Sequence, residues 1–157
     1  MKKNLTLLPL LLFVLVPFFC LSQSISKLNL EDAKKAIEES NAIYFSSFEK
    51  NDLSIFINRY SKDACIMLPN GPALCGEDAP SRFFEMAYGF GLRNGKFTTQ
   101  EVFGVDDHFV AETGLWETYD SNNEMIDNGK FLVLWKKTEE GWKMFRDSFN
   151  SNTPPVN

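Results

Sequence analysis

Apolar positions along the chain change their period once, and the change divides it into a helical first part and a stranded second part. From residue 29 onward, Leu30, Ala33, Ile37, Tyr44 and Phe48 recur at steps that fit one helical stripe, with Asn41 the polar exception on it. Asn29 offers an N-cap oxygen, and Glu31 and Asp32 place negative charge in the first turn, so a first helix is predicted over residues 29–49. Asn51 and Asp52 cap a second, shorter helix with Leu53, Phe56, Ile57 and Tyr60 on one face. A third helix opens after Gly76, accepts Pro80 in its first turn, buries Phe83, Phe84, Ala87 and Tyr88, and stops at Gly89.

Elsewhere the pattern is that of strands. Residues 64–75 read as a hairpin turning at Pro69, Asn70 and Gly71, and the register that opposes Leu68 to Pro72 also opposes Cys65 to Cys75. Residues 89–95 form a glycine-rich connection able to serve as a pocket lid; they follow a helix, so they do not read as a dinucleotide fingerprint. Strands follow over 96–105 and 108–119, then a long antiparallel pair spans 129–150 and turns at 136–141. Phe145, Asp147 and Phe149 alternate onto one face, which sets a carboxylate between two phenylalanines. By the same alternation His108, Val110, Glu112, Gly114 and Trp116 share a face, Gly114 leaving room for a ligand or for close packing. Helices grouped first and antiparallel strands grouped last indicate an α+β domain, one curved sheet wrapped around the helices.

Residues 1–22 look like an export signal: Lys2 and Lys3 precede an apolar run that ends in small residues. An uncleaved membrane anchor and lipidation at Cys20 are the alternatives. Cleavage leaves a single domain over 23–150, a disordered tail over 151–157, and a periplasmic or secreted protein without stable membrane association. Of the 16 basic residues Lys2 and Lys3 are lost, so 14 remain against 21 acidic ones, a formal charge of −7. Such a surface repels phosphate backbones and excludes nucleic acid as a partner. In an oxidising compartment Cys65 and Cys75 form either a cross-strand disulfide or a pair of small buried hydrophobes. His108 is the one histidine and has no ligand set at metal spacing, and nucleophile-elbow and phosphate-loop motifs are missing, so neither metal nor cofactor is expected.

The order of elements, together with Asn51-Asp52-Leu53, Met67-Leu68-Pro69-Asn70-Gly71-Pro72, Glu112-Thr113-Gly114, Gly129-Lys130, Gly141-Trp142-Lys143 and Asp147, resembles the SnoaL-like domains of the nuclear-transport-factor-2-like (cystatin-like cone) superfamily. The resemblance covers nearly the whole mature chain. It implies N-terminal helices packed in a strongly curved, mostly antiparallel sheet, a cone with an internal pocket, and a homodimer. It does not imply one reaction, for the superfamily holds ketosteroid isomerase, polyketide cyclases, dehydratases, epoxide hydrolases and non-catalytic association domains. Aligned without gaps, Tyr44 falls at the oxyanion-hole tyrosine of ketosteroid isomerase and Leu68 at its base. Leucine cannot take a proton, so that mechanism is absent. Polyketide cyclases of the group use an acid on the last strand, about where Asp147 stands.

Asp147 and Glu112 are therefore the candidate catalytic acids, with Tyr44, Trp116, Lys130, Trp135 and Phe149 as candidate ligand contacts. Asp147 has two readings: a desolvated pocket acid, or an ionised brace paired with Lys130. The function has two readings to match. One is cofactor-free acid/base chemistry of isomerase, cyclase or dehydratase type on an apolar or aromatic small molecule; the other is a non-catalytic dimeric binding or association module.

Overall fold

The computed structural model describes residues 19–154, with side chains from residue 29 onward. In chain order it comprises α1 (Phe19–Tyr44), α2 (Ser46–Lys50), α3 (Leu53–Ile57), β1 (Tyr60–Met67), β2 (Leu74–Cys75), α4 (Ala79–Gly89), β3 (Asn94–Gly104), β4 (Phe109–Tyr119), β5 (Met125–Thr138) and β6 (Gly141–Ser151). The expected export signal lies outside the described residues except for its last positions, and so does the end of the expected tail.

The helices depart from expectation for local reasons. No Gly or Pro occurs between residues 19 and 44, so α1 runs through Asn29, which the sequence predicts as its cap. The Asn29 side chain instead accepts a hydrogen bond from Lys137 Nζ at 2.8 Å. The expected single helix to Glu49 is divided at Phe45. There Ser46 Oγ donates to the Ile43 carbonyl at 2.7 Å and Ser47 Oγ to that of Tyr44 at 2.6 Å, and both compete with the helical ladder. Asp52 caps α3 as expected, accepting from Ser54 N–H at 2.9 Å. Tyr60, expected on the apolar face of that helix, opens β1 instead.

Six strands form one sheet in the order β2-β1-β6-β5-β4-β3, antiparallel throughout except where β1 runs parallel to β6. The sheet curls without closing, and α1 and α4 pack inside it, α1 against β3 and β6 and α4 against β1 and β2. Two glycines allow the curl. A Cβ at Gly129 would collide with the Asn150 carbonyl, and one at Gly114 would lie 2.5 Å from the Thr98 carbonyl and 2.6 Å from the Phe131 ring. Gly114 is thus a site of close packing, its missing side chain replaced by a neighbouring ring.

A β-bulge sets the inward face of β6. Leu134 pairs with Arg146 but Trp135 pairs with Met144, which leaves Phe145 as the extra residue. Trp142 and Met144 face inward before the bulge, Asp147 and Phe149 after it. The expectation that Phe145 shares a face with Asp147 is corrected by this one-residue shift. Its ring packs against Phe109 at 5.6 Å and beneath Arg146 and Lys136, away from the cavity.

Cys65 lies directly opposite Cys75 in the β1/β2 pair, and their sulfurs are bonded at a Cα separation of 4.1 Å. The bond closes a sequence separation of 10 residues, a loop whose entropy in the unfolded chain makes it worth roughly 2–3 kcal/mol. Alkylation followed by mass spectrometry is expected to label Cys65 and Cys75 only after reduction, with a lower Tm in reductant; full labelling without reductant contradicts this.

Candidate functional site

Glu112, Val133 and Asp147 are direct partners across β4, β5 and β6, so two carboxylates stand on one row of the sheet with a valine between them. At ~4.8 Å per strand their backbones are about 10 Å apart. All three side chains line a cavity of about 80 Å³ between the sheet and the helices. The other walls are mainly aromatic, with Tyr44 and Phe45 near the end of α1, Phe83 from α4, Phe97 from β3, Trp116 from β4, Phe131 from β5 and Phe149 from β6.

Glu112 is 1% exposed and is held by three donors. Thr99 Oγ1 at 2.6 Å and Asn41 Nδ2 at 2.8 Å donate to Oε1, and Trp135 Nε1 at 3.0 Å donates to Oε2. An indole N–H can only donate, so Oε2 must accept. Burial pushes the Glu112 carboxyl above its ordinary range, and the bonds from Thr99, Asn41 and Trp135 restrain the rise.

Asp147 is also buried but receives fewer hydrogen bonds. The Tyr60 hydroxyl donates to Oδ2 at 2.7 Å, the one hydrogen bond that this carboxylate receives among the described residues. Burial pushes its carboxyl up to about 6; the Tyr60 bond opposes the rise and the negative charge of Glu112 adds to it. The Tyr44 hydroxyl lies 3.5 Å from that of Tyr60. Since the Tyr60 proton is directed at Asp147, Tyr44 is the donor of that pair. Burial, followed by the nearby Asp147 charge, raises both phenols well above their ordinary value, so both remain protonated at any physiological pH.

Of the residues expected at the site, Asp147, Glu112, Tyr44, Trp116 and Phe149 line this same cavity. Two do not, and the expectation is corrected for both. Trp135 is fully buried behind Glu112, where it anchors the carboxylate rather than meeting a ligand. Lys130 is exposed on the outer face because Gly129 and Phe131 on either side of it point inward, so it cannot brace Asp147. Tyr60, Thr99 and Asn41 were not expected at the site. Asn41 carried a signal, as the polar residue on an apolar stripe; Tyr60 carried none, since 87 residues separate it from Asp147.

No protein-family model matches the sequence, and no curated protein matches it. Solved structures do match. A ketosteroid isomerase-like protein from Erwinia carotovora atroseptica SCRI1043 is 18% identical with a TM-score of 0.64, covering 80% of this chain and 98% of that one. An NTF-2 like protein of unknown function from Shewanella oneidensis MR-1 is 18% identical with a TM-score of 0.62, covering 74% and 97%. A type 2 hexachlorocyclohexane dehydrochlorinase is 13% identical with a TM-score of 0.65, covering 84% and 94%. With helices held in a curled, mostly antiparallel sheet and a match to these structures over most of its length, the chain has the cystatin-like cone fold of the nuclear-transport-factor-2-like proteins.

Proposed function

We propose that the protein is an exported, cofactor-free acid/base catalyst acting on a small apolar or aromatic molecule, with Asp147 moving the proton. One observation carries this reading: Asp147 is buried at the cavity wall with a single hydrogen bond and no cation beside it among the described residues. A carboxyl that titrates near 6 can both take and return a proton near neutral pH. Tyr44, protonated and lining the same cavity, can turn its hydroxyl proton from the long 3.5 Å contact with Tyr60 to an oxygen on which negative charge develops. Glu112 is held by three donors, so its role is electrostatic: its charge adds to the rise that burial imposes on Asp147. Dehydrochlorination, the reaction in the name of one structural neighbour, removes a proton from carbon as chloride leaves. Export accords with the apolar N-terminal run and with paired cysteines.

Incubated in D₂O with small carbonyl compounds that raise its Tm, the wild-type protein is expected to exchange a carbon-bound proton. Asp147→Asn is expected to lower that rate by about 10²–10⁴-fold; equal rates for both proteins rule the assignment out.

The same carboxyl gives stability a definite pH dependence. Its folded-state value lies above the ordinary 3.8, so between roughly pH 4 and 6 the native state binds more protons than the unfolded chain. This group's contribution is greatest below that window and is lost as pH rises through it, by on the order of 3 kcal/mol. Asp147→Asn keeps an acceptor for Tyr60 and removes the charge, so the variant is expected to be the more stable protein in urea at pH 7.5, with the difference gone by pH 4. A variant less stable than wild type at pH 7.5 would mark Asp147 as an ionised brace.

A second reading, a non-catalytic dimeric association module, is favoured by Leu115 and Leu132, which are 39% and 48% exposed on the outer face of the sheet. Light scattering is expected to give a dimer that Leu132→Lys dissociates; a monomeric wild type counts against it.

A further inference from the structure

The cavity pairs two features that call for the same ligand chemistry. Its walls are rich in aromatic rings, Tyr44, Phe97, Trp116 and Phe131 among them, and its polar lining, Asn41 and Thr118 beside Glu112 and Asp147, has carboxylates as its charged groups. Among the described residues, no lysine, arginine or histidine lines it. We propose that the small apolar or aromatic molecule taken by this cavity carries an ammonium group, whose positive charge sits between Glu112 and Asp147 and against the aromatic rings. The inference rests on the reading of this cavity as the ligand site and names the class of ligand that it takes.

The carboxylates are not equivalent, and the difference favours a cation. Glu112 uses both oxygens on Thr99, Asn41 and Trp135, so its charge is fixed in place. Asp147 is 8% exposed and commits only Oδ2, to Tyr60, which leaves Oδ1 for a donor entering the cavity. An N–H of a protonated amine can bond to Oδ1, while methyl groups on a quaternary nitrogen contact the rings by cation–π attraction. Both attractions are strengthened where water is excluded. An anionic ligand meets two like charges, and a neutral one leaves Glu112 without a countercharge.

Size points the same way. At ~10–15 Å³ for each water, a cavity of about 80 Å³ has room for about five to eight waters. That suits a trimethylammonium or simple alkylammonium head better than a fused ring system.

The groups facing Asp147 are Tyr44 from α1, Tyr60 from β1 and Glu112 from β4. Both tyrosines stay protonated, so below pH 8 the carboxylates alone titrate in the site. Cation affinity should therefore rise with pH as Asp147 ionises, whereas affinity for a neutral molecule of the same shape should not.

The test is calorimetric titration of the protein with choline and with 3,3-dimethyl-1-butanol, in which carbon replaces the nitrogen. Choline is expected to bind about tenfold more tightly at pH 7.5, and the preference to narrow as pH falls through about 6. Asp147→Asn is expected to weaken choline about tenfold and leave the alcohol unchanged. The wild-type pH profile needs no variant, so the inference can be tested even if Asp147→Asn fails to fold. Equal or tighter binding of the alcohol at pH 7.5 overturns the ammonium inference and leaves an apolar ligand cavity standing. Binding of neither compound to folded protein overturns the inference and counts against the ligand cavity too, whereas the D₂O exchange measurement decides the proton chemistry separately.

Discussion

Two carboxylates buried on one row of the sheet, with no cation between them among the described residues, are the constraint around which the rest of this domain is arranged. Moving a carboxylate out of water is costly unless hydrogen bonds or an opposite charge replace its solvation. The fold solves this differently at the two positions. Glu112 receives donors from three elements, Asn41 on α1, Thr99 on β3 and Trp135 on β5, and becomes a rigid, charged part of the wall. Asp147 receives one, and the shortfall appears as a raised pKa. A group left under-solvated in a cavity is one that a substrate or a proton can satisfy.

Backbone irregularities place these groups. The bulge at Phe145 allows Trp142 and Met144 to face inward and still turns Asp147 and Phe149 to the same side. A second bulge lies between Thr99 and Glu101, beside the threonine that reaches Glu112. Gly114 and Gly129 let strand backbones and aromatic rings approach more closely than a Cβ allows. The site is thus built on strands, whose rigidity suits proton transfer better than a loop would.

Much of this was legible in the sequence, and the remainder has identifiable causes. Periodicity placed Val110, Glu112, Gly114 and Trp116 on one inward face, because β4 has no bulge along that stretch. The same logic failed at Phe145, where one extra residue reversed the alternation. The resemblance to SnoaL-like domains anticipated the curled sheet and its enclosed helices. Lys130 was offered as a ligand contact because it is the cation that the strand pattern sets near either acid, yet Gly129 lies within β5 and the alternation with Phe131 turns the lysine outward. Tyr60 could not be found by local pattern at all. It reads equally well as the last apolar position of a helix, and its role exists only once β1 lies alongside β6.

Burial, reinforced by the negative charge of Glu112 and only partly offset by the Tyr60 hydrogen bond, makes Asp147 an unusual acid, and proton chemistry and cation recognition alike follow from that single property. Carboxyl ¹³C NMR on aspartate-labelled protein measures it directly. The Asp147 resonance is expected to titrate with a midpoint of about 6, and Glu112→Gln should lower the midpoint by removing the neighbouring charge. A midpoint at or below 3.8, unmoved by Glu112→Gln, would contradict the account and leave Asp147 as an ordinary ionised carboxylate in a structural wall.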